Sequence, residues 1–223
     1  RTWIGIALCA VTIWAGLSGS AGAAQNNDDA VIAAHIGVYN SKNVCDTTAP
    51  DCINLTTNAP PGWYNVYIVI GNTSDSLGVA GVQFGIDYDG TAGVGADLFV
   101  WATCGDLEFP SGGSDGQPTW PAAGSGNLIT WDYTVNCQTE AAGAIVAGVF
   151  QMAAYSDDCL AVIPRPVDGM AKIASCFGAE TDITGLLPSH LGYVCFGADE
   201  GYNPCSLIVS IRQTTWGQIK SLY

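Results

Sequence analysis

Of the nine cysteines in the sequence, Cys9 lies in the apolar first segment, and the other eight carry the most explicit chemistry: Cys45, Cys52, Cys104, Cys137, Cys159, Cys176, Cys195 and Cys205. None belongs to a CxxC pair, and only His35 and His190 are available as imidazole partners. Zinc sites draw on closely spaced Cys and His ligands, so the pattern predicts disulfides in an oxidising compartment. Eight cysteines admit on the order of a hundred pairings. Pairing each with its sequence neighbour gives Cys45–Cys52, Cys104–Cys137, Cys159–Cys176 and Cys195–Cys205. Two of those pairs would close short Pro-containing loops, and Cys104–Cys137 would staple a long Gly/Ser/Pro loop.

Carboxylates come next. Asp87-Tyr88-Asp89-Gly90 has oxygen ligands at alternate positions, as at the start of a calcium loop. Asp87 and Asp89 are therefore the candidate cation ligands, although Leu98 stands where an EF-hand loop would end in an acid. No other cofactor is expected. Asp106 and Glu108 alternate, as a glycosidase pair could, but an Asp-rich loop protein offers many such pairs. Neither histidine predicts a hydrolytic triad: Ser189 and His190 are adjacent and point apart, and no Gly-x-Ser-x-Gly elbow exists. His190, after Pro188, reads as a surface turn residue, and His35 as a strand histidine. Gly90-x-x-Gly93-x-Gly95 follows a strand, but no helix follows it to cradle a phosphate.

Aromatic side chains could stack on sugar rings. Trp101 and Trp131 lie in strand patterns and are assigned to the core. Trp120, between Thr119 and Pro121 in a Gly-rich loop, and Trp63 are the candidate ligand-binding residues.

These residues must be positioned by elements, and composition bounds what those are. The 223 residues are 48% hydrophobic and 12% charged, with 28 Gly, 7 Trp and 9 Tyr, which favours strands joined by Gly-rich turns. Six basic against twenty acidic residues give a net charge of −14, which excludes phosphate-backbone binding and so nucleic acid. Most of the acids are Asp, a residue of turns and caps. The first 24 residues have a basic start, an apolar run and a small-residue exit, Ser18-Gly19-Ser20-Ala21-Gly22-Ala23-Ala24. They predict a signal peptide with a short helix, cleaved after Ala23 or Ala24, and a secreted or cell-surface protein with no membrane span in the mature chain.

Strands are predicted at 31–39, 63–72, 79–88, 97–101, 127–133, 143–155, 170–175, 192–196 and 207–212, with alternation at 63–72, 79–88 and 127–133 and a long apolar run, fit for burial on both faces, at 143–155. In the second, Tyr64, Val66, Ile68 and Ile70 share one face, with Tyr67 and Val69 on the other. The third reads as half-buried, with Val82, Phe84 and Ile86 inward. The Ala content of 143–155 leaves a helix open there. Residues 214–223 pattern as a short helix with Trp216, Ile219 and Tyr223 on one side. The organisation expected is residues 1–24 signal, 25–62 a first strand and Cys-containing loop packed on a sandwich, 63–212 the sandwich, and 213–223 a helical tail. The fold class is all-β: a single antiparallel β-sandwich or jelly roll of about nine strands.

Two segments resemble the cohesin family of bacterial extracellular β-sandwich modules. One runs from Val66-Tyr67-Ile68-Val69-Ile70-Gly71-Asn72 through Val79-Ala80-Gly81-Val82-Gln83-Phe84-Gly85-Ile86-Asp87-Tyr88-Asp89, and the other is Gly143-Ala144-Ile145-Val146-Ala147-Gly148-Val149-Phe150. The resemblance implies a nine-stranded jelly roll, of the type also used by carbohydrate-binding modules, and protein binding through a sheet face; cohesins hold dockerin partners. The cysteines and the sequence after Pro164 depart from that pattern. The tail Thr215-Trp216-Gly217-Gln218-Ile219-Lys220 is similar to those of exported proteins of environmental bacteria, a likeness that implies no function. The expectation is thus a non-enzymatic structural or protein-binding module of adhesion type. Binding of polysaccharide through exposed Trp is the alternative, and a cation-dependent hydrolase the distant third. The expected partner is an extracellular protein or a polysaccharide.

Overall fold

The computed structural model describes residues 26–40, 45, 49–112, 116–186 and 189–206. The segments expected to be a signal peptide, a strand at 207–212 and a C-terminal helix lie outside the described residues. Two sheets face each other. The first holds four strands in the order β1 (Val31–Val38), β3 (Gly62–Gly71), β8 (Ile145–Ala154), β5 (Ala96–Thr103). The second is built around β4 (Gly81–Asp87). One edge of β4 pairs along its length with β7 (Ser125–Thr130), which carries β6 (Leu107–Glu108). Its other edge is shared. Gly81–Gln83 pair with β10 (Lys172–Ala174), which leads to β11 (Glu180–Asp182), and Gly85–Asp87 pair with β9 (Asp158–Ile163). Beyond β9 come β12 (Tyr193–Phe196) and β2 (Asn58–Ala59). All pairing between these strands is antiparallel except β2 with β12.

The alternation in β3 explains the layering. Val66, Ile68 and Ile70 point between the sheets, where they join Ile32, Phe150 and Met152 against Phe84, Ile86, Ile129, Leu160, Ile173 and Phe196 of the second sheet. Tyr67 and Val69 point the other way into a second cluster with Val31, Ala33, Val149, Leu55, Cys52 and Cys205. The outer face of the first sheet is therefore roofed by two short 3₁₀ turns, Cys52–Asn54 and Pro204–Ser206. The run 143–155 forms a strand over Ile145–Ala154, β8, because both its faces are covered and its Ala and Gly residues admit close neighbours. Gly148 shows why: a Cβ there would lie 2.2 Å from the Trp101 ring.

Two expectations are corrected here. β4 is covered on both faces rather than half-buried. The segment after β9 lies over it, and Gln83 Nε2 donates to both carboxylate oxygens of Asp168 at 2.9 Å. The neighbour-based disulfide pairing is wrong in every pair, although all eight cysteines are bridged. The bonds are Cys45–Cys104, Cys52–Cys205, Cys137–Cys176 and Cys159–Cys195. Sheet topology decides them. Cys159 and Cys195 are register partners on adjacent strands β9 and β12. Cys52 and Cys205 join the two roofing turns.

The strands not foreseen are mostly too short to show a period. β2 and β6 have two residues each and β11 three. β9 has six, with Leu160 and Val162 inward, and begins at Asp158 directly after the turn residue Asp157.

Candidate functional site

The roof over the outer face of the first sheet stops short of one end. After β1 the chain folds across that face at Asn40, whose carbonyl accepts hydrogen bonds from Asn65 Nδ2 (3.2 Å) and Gln151 Nε2 (3.0 Å). Beyond this grip, at the start of β3 and of β5, no described segment covers the face. Trp63 is 55% exposed there, and Phe99, Val100, Tyr39 and Val38 are exposed beside it. Trp63 and Phe99 stack with ring centroids 5.2 Å apart and planes within 19°. Tyr39 meets Trp63 edge-on at 5.8 Å.

A β-bulge makes this ridge. The register of β5 against β8 shifts between Leu98 and Val100. The extra residue lets Phe99 and Val100 both reach solvent while Leu98 and Trp101 pack on the inner core. The run Leu98-Phe99-Val100-Trp101 has no period of two, so its outward pair could not be found by alternation. The broken period in an otherwise clear strand was the available signal.

Of the sequence-predicted ligand residues, Trp63 belongs to this ridge and Trp120 does not. Trp120 is not an exposed loop tryptophan. It packs on Phe84, Trp101 and Phe150 at centroid distances of 5.7, 5.1 and 5.6 Å. The Gly-rich loop folds back onto the core, with Trp120 N donating to Ser111 O and Ser111 Oγ to Pro118 O. Trp101 and Trp131 are inward, as expected; their indole N–H groups donate to Glu108 Oε2 (2.9 Å) and Cys104 O (3.0 Å).

The carboxylates serve the backbone. Asp89 Oδ1 accepts from Thr91 N at 2.9 Å, and this bond with the Thr91 side chain holds its carboxyl below the usual range. Asp132 with Thr134 and Asp182 with Thr184 repeat the same Asp-x-Thr turn, and their carboxyls are lowered by the threonine hydroxyl first and then its N–H. Asp158 accepts from Ala96 N (3.0 Å), Cys159 N (2.7 Å) and Asp89 N (3.2 Å), tying the starts of β5 and β9 to the end of β4. Asp87 is exposed at that same end. Among the described residues no three His, Cys, Asp or Glu converge as a metal cage would. Asp106 accepts from Asp132 N and Asn136 Nδ2, and Glu108 from Trp101 and Asn127, so the alternating pair is engaged in structure.

His190 is buried, not a surface turn residue. Its Nδ1–H donates to Ala30 O at 2.8 Å, and its own carbonyl accepts from Ile32 N, so it stitches the start of β1 to the chain before β12. His35 Nδ1 accepts from Thr56 N at 2.9 Å, and burial lowers its pKa.

No protein-family model matches the sequence, and no curated protein matches it. Solved cohesin modules match the structure. One, from a Clostridium perfringens family 33 glycoside hydrolase, has a TM-score of 0.43 at 11% identity, covering 76% of this chain and 98% of its own. A cohesin in a type I cohesin–dockerin complex from Clostridium thermocellum has a TM-score of 0.42 at 14% identity, covering 75% and 99%. The sixth cohesin of Acetivibrio cellulolyticus scaffoldin B, solved with a dockerin, has a TM-score of 0.40 at 12% identity, covering 65% and 94%. The likeness is one of β-sandwich arrangement alone. Among the described residues no helix is long and apolar enough to cross a membrane.

Proposed function

We propose that the chain is a non-catalytic protein-binding module of a secreted or cell-surface protein, engaging its partner through the open end of the first sheet. The observation that carries this reading is the Trp63–Phe99 ridge. Among the described residues, disulfide-tied segments cover much of the rest of the face, and none covers the ridge, which stands on paired strands. Interface hot spots are rich in such rigid aromatics, because they bury large area at little entropic cost. The acid-rich composition complements a basic partner surface. Four disulfides support the extracellular setting.

The ridge suits protein better than polysaccharide. A sugar platform needs free aromatic faces side by side, whereas Trp63 and Phe99 lie face to face. The test is capture from the source organism's exterior with a photo-crosslinking residue in place of Val100, followed by reconstitution with the purified partner. Loss of binding in Trp63→Ala/Phe99→Ala supports the reading. Binding of an oligosaccharide at the ridge instead would overturn it.

A further inference from the structure

At the opposite end of the sandwich a groove of about 620 Å³ opens between Thr130, at the end of β7, and Ala174, at the end of β10. It continues past Asp75 and the Cys137–Cys176 disulfide into a second hollow. Tyr133 and Phe177 line both. They are 62% and 77% exposed, and Val135, beside them in sequence, is 83% exposed. Tyr133 and Phe177 stand together on one groove, and an exposed apolar patch, unlike a single exposed side chain, marks a binding surface.

The turns that carry both walls are hydrogen-bonded before anything binds. Tyr133 rides on the Asp132 turn, where Thr134 N and Oγ1 donate to Asp132 and Asn136 N donates back to the Asp132 carbonyl. Phe177 rides on the turn after β10, where its N–H and that of Ala179 both donate to Ser175 Oγ. The disulfide joins the two turns. On the floor, Trp131 is fixed by its indole hydrogen bond to Cys104 O. Fixed walls spare a ligand the ordering cost.

Charge names the occupant. Asp75 lines the second hollow and Asp132 adjoins Tyr133, while nearby Lys172 is neutralised by Glu180 at 3.2 Å. Aromatic faces with carboxylates around them attract guanidinium and ammonium groups. We infer that this groove is a second binding site, for a basic peptide segment whose arginine or lysine side chain inserts between Tyr133 and Phe177.

The test uses the oxidised full chain and a blocked peptide of alternating glycine and arginine, with a glycine–glutamine peptide as control, followed by NMR and calorimetry. The expected result is that the arginine peptide shifts the resonances of Trp131, Tyr133 and Phe177, and that Tyr133→Ala and Phe177→Ala each weaken it about tenfold. Both positions are exposed, so these variants keep the fold; far-UV and near-UV circular dichroism confirm it. Equal binding of the glutamine peptide overturns the inference. So does undiminished binding in the double variant, or a shift pattern confined to Trp63 and Phe99.

Discussion

Trp120 brings a buried indole N–H, which has no acceptor among the described residues, into contact with the rings of Phe84, Trp101 and Phe150. An unpaired buried donor costs about 1–3 kcal/mol, which offsets part of what the ring contributes. Trp120→Phe is therefore expected to change stability by less than about 1 kcal/mol, while Trp120→Ala loses about 3 kcal/mol; urea unfolding separates the two. His35 gives a pH dependence. Its imidazole must be neutral at Nδ1 to accept from Thr56 N, and burial lowers its pKa below 6.5. The unfolded chain thus binds the proton first, so stability is full above pH about 6.5 and falls as pH drops from there toward the folded value. The urea midpoint should decline over that window in the wild type and decline less in His35→Gln. A separate loss at lower pH belongs to Asp89, Asp132 and Asp182. Their folded pKa values lie below those of the unfolded chain, so their contribution fades as pH falls through the carboxylate range.

Strand packing fixes the next level. Gly148 lies under the Trp101 ring with no room for a methyl group, so Gly148→Ala must displace Trp101 or bend β8. Overpacking of this kind costs about 1–3 kcal/mol, and near-UV circular dichroism should register the tryptophan shift along with the lower melting temperature. The faces of β3 and the inward residues of β4 were legible in the sequence, because each rests on a local period of two. The disulfide map was not, since Cys52 and Cys205 are brought together by sheet order across 153 residues of chain. Phe99 was hidden by a bulge, and Trp120 by a loop whose fold-back depends on Ser111 and the core beneath it. Each of these is a long-range fact that spacing does not encode. Chain-entropy estimates put the loss of Cys52–Cys205 at about 5 kcal/mol and of Cys159–Cys195 at about 4 kcal/mol. Non-reducing peptide mapping of the intact chain should return the four bonds named above, and Cys→Ser pairs should rank in that order by denaturant midpoint.

The whole molecule presents a sandwich with its inner core sealed, one outer face roofed by disulfide-tied turns, and an aromatic feature at each end. Both described basic residues are neutralised, Arg165 by Asp168 and Lys172 by Glu180, while the exposed aspartates of the Asp-x-Thr turns remain charged. The resulting field favours basic partners and speeds their approach in a salt-dependent way. The central claim is that the uncovered end of the first sheet holds a protein partner. The most direct measurement is the affinity of the crosslink-identified, purified partner for the wild type and for Trp63→Ala/Phe99→Ala, both with intact disulfides and matching melting temperatures. The account predicts a loss of about a hundredfold, the scale of two hot-spot aromatics. Equal affinity for the two proteins would contradict it.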